Sequence, residues 1–150
     1  MLRVAPYKNT TLIDADAKVT LGMSIEEGGK IVNKFYQLPL EFNTVTVLTL
    51  SWTIVHPIDE ASPLYKFTAE DFANTRGEIL LYLKAFDDMF SNTVTARTSY
   101  TFNEVITGAK FLPMYNRAES RKKTILHLEK LNDTIPADIS FAYNNTALAE

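Results

Sequence analysis

Leu12-Ile13-Asp14-Ala15-Asp16-Ala17-Lys18-Val19-Thr20-Leu21 is the stretch whose reading decides the fold. From Ile13 onward, Ala15, Ala17, Val19 and Leu21 alternate with Asp14, Asp16, Lys18 and Thr20. A period of two marks a half-buried strand, because successive side chains of extended backbone point to opposite faces. One face is apolar, and the other presents two carboxylates, Asp14 and Asp16. Downstream, Glu27-Gly28-Gly29-Lys30 supplies a turn and residues 31–38 a second strand. Residues 44–55 read as a third, with Leu48, Leu50, Trp52 and Ile54 on one side and Thr49, Ser51, Thr53 and Val55 on the other. Pro57 and Pro63 confine residues 56–65 to a loop, since neither can donate to a ladder. Thr68-Ala69-Glu70-Asp71 opens a helix of about two turns ending at Asn74, with Thr68 as its N-cap. Further strands are expected at 78–84, 93–100, 109–115 and 123–128, with a polar turn at 86–92 and a charged hairpin at 116–122. Seven or eight short strands, turn signals every ten or so residues and one or two short helices predict an all-β fold. The expected architecture is an immunoglobulin-like antiparallel β-sandwich, without the antibody cysteine pair.

Composition narrows the function classes. The chain has 150 residues, 46% hydrophobic and 22% charged, which is enough apolar material for one core and argues against disorder throughout. Lys and Arg number 15 against 18 for Asp and Glu, a net charge of −3 with no long basic run, so nucleic acid is not an expected partner. The absence of cysteine excludes a disulfide framework and thiolate chemistry and suits a reducing compartment. Met1-Leu2-Arg3-Val4-Ala5-Pro6 lacks the apolar core of a secretory signal, and no apolar stretch approaches a membrane span. These features predict a soluble, cytoplasmic polypeptide, with a domain over 1–138 and a mobile tail over 139–150.

Catalytic machinery is not legible. His56 and His127 stand far apart and outside any metal-spaced cluster, and each reads as a locally bonded or half-exposed histidine. Gly28-Gly29 fits a hairpin better than a phosphate cradle. Asp59-Glu60 and Asp87-Asp88 are paired carboxylates, but neighbours on extended backbone diverge, so solvated loop acids are the expected role. No cofactor, metal ligand set or enzyme activity is expected. Residues alone leave a β-sandwich with a binding or structural role, such as a free-standing module for a protein or glycan.

One motif carries the reading further. Ser51-Trp52-Thr53-Ile54-Val55-His56-Pro57-Ile58-Asp59-Glu60-Ala61-Ser62-Pro63-Leu64-Tyr65 resembles the hallmark stretch of the intracellular domain of inward-rectifier potassium channels, in its bacterial form. Leu2-Arg3-Val4, then Leu12-Ile13-Asp14-Ala15, resemble that domain's first strands. Ala96-Arg97-Thr98-Ser99-Tyr100, Glu104-Val105-Ile106 and Gly108-Ala109-Lys110-Phe111 resemble a later segment in the same order. Two departures stand out: Thr107 where the family carries tryptophan, and Lys66 where it carries glycine.

The resemblance implies a C-terminal domain on the cytoplasmic side of a membrane channel, in a class grouped with voltage-gated channels. It implies a homotetramer with its own transmembrane pore domain, of which this chain holds neither the spans nor the Thr-x-Gly-Tyr-Gly filter. Potassium is then the permeant ion, and magnesium or polyamines are the expected blockers. The family's pore-facing acid of the first strand falls on Asp14, with Asp16 on the same polar face, and its acid at the bottom of the pore falls on Asp88. Two further acidic pore positions fall near Leu40 and Thr44, which are uncharged, so block weaker than in strong rectifiers is expected. Lys8 occupies a basic position that in the family meets anionic phosphoinositide. The loop bearing His56, Asp59 and Glu60 is expected either at a subunit interface or as a local turn clamp.

Overall fold

In the computed structural model the described residues are 1–8, 10–117 and 124–137. They form strands β1 (Leu2–Val4), β2 (Leu12–Glu27), β3 (Lys30–Leu38), β4 (Thr44–Leu48) and β5 (Trp52–Ile54). Helix α1 (Ala69–Asn74) precedes β6 (Gly77–Asp87) and β7 (Asn92–Thr101). Four short strands complete the set: β8 (Ala109–Phe111), β9 (Tyr115–Arg117), β10 (Thr124–Leu126) and β11 (Thr134–Pro136). All pairings are antiparallel, and the fold is the expected all-β sandwich with one short α-helix.

The alternating stretch became the centre of the main sheet. One edge of β2 pairs with β6, which pairs in turn with β7. Its other edge is shared: β3 lies against residues 19–27 and β4 against residues 12–16. The changeover falls at Pro39, which has no N–H to offer a ladder, so the edge is interrupted and resumes at Thr44. Ala15, Ala17, Val19, Leu21 and Met23 of β2 are buried on one face, as the alternation requires. They share a core with Leu38, Leu48, Trp52, Ile54, Leu64, Leu81, Ala85 and Phe102.

Residues 44–55 are not one strand. β4 belongs to the main sheet, whereas β5 pairs with β1, Val4 opposite Trp52 and Leu2 opposite Ile54. Leu48, Trp52 and Ile54 are all buried, so the alternation keeps its phase while the chain changes sheets, and nothing in the pattern betrays the change. Residues 109–115 divide likewise, into β8 and β9 on either side of Pro113. The expected hairpin over 116–122 and the tail over 139–150 lie largely or wholly outside the described residues.

The chain forms two compact units, Met1–Val105 and Ile106–Glu150. Within the first, α1 is held by a capping box. Thr68 Oγ1 accepts the Asp71 N–H, and the Asp71 carboxylate accepts the Thr68 N–H at 2.7 Å. Hydrogen bonds from the Thr68 hydroxyl and then its backbone N–H hold the Asp71 carboxyl below its ordinary pKa. Phe72 of α1 joins Phe67 and Phe102 in a three-ring cluster, each pair edge to face at 5.0–5.9 Å between centroids. Within the second unit β8 pairs with β11 and β9 with β10.

Candidate functional site

Asp14 lies at a break in register. Along β2 and β6, Ile13 faces Phe86 but Asp16 faces Lys84, so β2 carries one extra residue, a β-bulge. Asp14 takes the strain with φ +49°, a left-handed conformation that aspartate tolerates better than most residues. The bulge also shifts the alternation. Leu12, not the expected Ile13, packs against the core beside Ala15. Asp14 remains fully outside, and a bulge is a device for re-aiming a side chain. Asp16 lies on the same face, half-buried, with Thr44 and Lys84 opposite it on the two neighbouring strands.

Because of that strained backbone, Asp14 tolerates some replacements better than others. Asp14→Asn should leave thermal stability nearly unchanged, whereas the β-branched Asp14→Val should lower it by about 1–2 kcal/mol. Equal melting temperatures for the two variants would contradict the assigned conformation.

Asp88 is exposed in the tight turn joining β6 to β7. Its neighbour differs from the sequence expectation. Asp87 is not a solvated loop acid but is only 7% exposed. Its Oδ1 accepts the Met89 N–H at 3.0 Å, the Phe90 N–H at 3.3 Å and the Thr10 hydroxyl at 3.1 Å. An aspartate opening a turn by accepting from the backbone two residues on is a known turn former, and that was the available signal for Asp87. The register places Asp87 opposite Leu12. The turn bearing Asp88 therefore stands at the same end of the sheet as Asp14, although the two are far apart in sequence.

Lys8 is exposed in the segment between β1 and β2, where its carbonyl accepts the Thr10 N–H at 2.8 Å.

His56 is a clamp. Its Nδ1 lies 2.6 Å from the Pro39 carbonyl oxygen and its Nε2 2.8 Å from Ser62 Oγ. A carbonyl only accepts, so Nδ1 carries a proton, and in the neutral ring the Ser62 hydroxyl donates to Nε2. Ser62 Oγ in turn accepts the Leu64 N–H at 3.1 Å. The ring thus ties loop 56–65 to the interruption between β3 and β4. Asp59 Oδ1 accepts the Ala61 N–H at 3.0 Å, closing its own turn, and Glu60 is exposed beside it. At Lys66 the backbone keeps φ +61°, a conformation suited to the glycine that the motif would lead one to expect. His127, expected within a strand, instead follows β10 and sits 2.9 Å from Glu129 Oε1.

Among the described residues no three acidic or histidine side chains gather as a metal site, and no helix is long and apolar enough to cross a membrane. What the site offers is a surface of acidic side chains at one end of a sheet, its β6–β7 turn held by part-buried hydrogen bonds to Asp87.

Residues 1–147 match the family described as "Inward rectifier potassium channel C-terminal domain". The chain is 30% identical over 126 residues to the inward rectifier potassium channel Kirbac3.1 of Paramagnetospirillum magnetotacticum, covering 83% of this chain and 43% of that protein. It is 29% identical over 125 residues to the human ATP-sensitive inward rectifier potassium channel 8, covering 79% and 29%. Against the bovine G protein-activated inward rectifier potassium channel 1 it is 30% identical over 124 residues, covering 79% and 25%. The chain therefore spans less than half the length of these relatives. All three are named inward rectifiers and none voltage-gated, which corrects the expected grouping with voltage-gated channels. By the extent of the match, the chain belongs to the inward rectifier potassium channel family, whose C-terminal domain it represents.

Proposed function

We propose that this domain forms the cytoplasmic pore and gating element of a membrane-embedded, tetrameric potassium channel, attracting cations through rings of Asp14 and Asp88. The observation that carries the reading is the convergence of these two exposed carboxylates at one end of one sheet. Fourfold symmetry turns each into a ring of four. Inside a pore narrower than a couple of Debye lengths (about 8 Å each at physiological salt), the fields of such rings overlap at the axis instead of being screened away. They concentrate potassium and hold magnesium or polyamines more tightly, because a polyvalent ion gains from each carboxylate in proportion to its charge. Asp16, facing Lys84, contributes less. Leu40 and Thr44 supply no charge, so the block is weaker than in a channel with every acidic position filled. Lys8 is suited to an anionic phosphoinositide headgroup at the membrane face. Because Thr10 ties its segment to the β6–β7 turn, the Asp88 ring belongs at that same end of the domain and not at the bottom of the pore.

The gene tests this reading directly. The reading frame upstream of Met1 should encode two apolar spans enclosing a Thr-x-Gly-Tyr-Gly filter. A stop codon just upstream, with the chain made alone, would instead favour the free-standing binding module.

A further inference from the structure

Asp87 is a buried carboxylate to which pore electrostatics gives no part. All three of its hydrogen bonds converge on one oxygen, and they come from two different places in the chain. Met89 and Phe90 donate from within the β6–β7 turn, whereas Thr10 donates from the segment before β2. Thr10 is in turn tied by its own N–H to the carbonyl of Lys8. A continuous path of hydrogen bonds therefore runs from Lys8 through Thr10 and Asp87 to the tip of the turn that displays Asp88. Met89 and Phe90 at that tip are 66% and 62% exposed, so little packing holds the turn and its shape rests on these bonds. Ser91, the last turn residue, adopts φ +49°, a conformation that persists only where the surroundings enforce it.

We infer that Asp87 is the positioning residue for Asp88, and that the Thr10–Asp87 hydrogen bond latches the acidic turn to the segment bearing Lys8. The inference rests on the pore reading for its consequence but not for its geometry. A latch of this kind makes the two candidate sites mechanically dependent, because moving the Lys8 segment strains the bond that fixes the turn. Removing the Thr10 hydroxyl leaves the buried Asp87 oxygen two donors instead of three and cuts its one tie outside the turn, whereas removing the Asp87 carboxylate cuts all three bonds.

Two measurements test this together. Amide hydrogen exchange of the 150-residue chain is read at Met89 and Phe90 for Thr10→Ser, Thr10→Val, Asp87→Asn and Asp87→Ala. Thr10→Val should speed exchange at Met89 and Phe90 roughly tenfold, an effect on residues distant in sequence that a purely local turn would not show. Thr10→Ser, which keeps a hydroxyl, and Asp87→Asn, which keeps an accepting oxygen, should stay near wild type. Unchanged exchange in Thr10→Val would overturn the latch. Spermine block is then recorded in the assembled channel. Asp87→Ala should weaken block as Asp88→Asn does, and Asp87→Asn should not. If Asp88→Asn weakens block and Asp87→Ala leaves it intact, Asp87 does not position Asp88. If Asp88→Asn itself has no effect, the pore reading fails while the exchange result stands on its own.

Discussion

Replacing both acids together, as Asp14→Lys with Asp88→Lys, is expected to lower the affinity of the channel for internal magnesium about a hundredfold. Two positions in four copies, each changing by two units, alter the pore by about sixteen charges. At about 10 Å in water one charge pair is worth roughly 0.4 kcal/mol, and screening over slightly more than a Debye length reduces this to about 0.1. Summed over those charges and the two carried by magnesium, the change is about 3 kcal/mol, or roughly two decades. Polyamines, with more charge, should lose more. Asp14→Lys also places a long side chain at a left-handed position, so Asp14→Asn serves as its structural control. Block measured in excised patches should weaken in the order Asp14→Asn, then Asp14→Lys, then the double reversal. An unchanged block in the double reversal would remove both residues from the ion path.

The second large effect concerns stability. Phe102 is 3% exposed and packs against both Phe67 and Phe72, with centroids 5.9 and 5.1 Å away. Phe102→Ala removes a buried ring and two edge-to-face contacts, which should destabilise the domain by about 3–5 kcal/mol. For a chain of this length that is a fall in melting temperature of roughly 10 °C. Gly77 supplies the internal check. A Cβ built there would lie 2.5 Å from the Phe102 ring, so Gly77→Ala forces that ring from its place. In the Phe102→Ala background the same methyl enters vacated space, so the double variant should be more stable than the sum of the two single losses predicts. Strict additivity by calorimetry would show that the two sites do not share that volume. The cluster also anchors the chain just after loop 56–65, because Phe67 packs on Phe72 while His56 ties the start of that loop to the Pro39 carbonyl.

How far the sequence could be read depends on which interactions leave a periodic trace. The alternation from Ile13 to Leu21 located the central strand and set Asp14 and Asp16 on its polar face, because burial of every second residue is a signal in composition. Thr68 and Asp71 announced the helix, because a capping box is a local exchange of bonds written into four residues. The bulge at Asp14 was not legible, since an aspartate on the polar face fits the alternation as well as it fits a bulge and the shift shows only against β6. The break between β4 and β5 was invisible for a related reason. A strand that changes sheets while keeping its phase looks identical to one that continues. For Asp87 the turn-forming role was legible from its place before the turn, but its burial and its bond to Thr10, 77 residues away, leave no local signal. The family motif identified the domain without revealing that His56 binds the Pro39 carbonyl, a contact made across 17 residues.

The central claim is that carboxylates of neighbouring copies face one shared axis. These 150 residues contain no cysteine, so once any cysteine elsewhere in the channel polypeptide is replaced, Asp88→Cys gives one attachment point per subunit for a spin label at an exposed turn. Dipolar spectroscopy on the assembled channel should then return two distances, adjacent and diagonal, in a ratio of about 1.4, as fourfold symmetry demands. One distance alone, or a pair too long to border a common pore, would contradict the account.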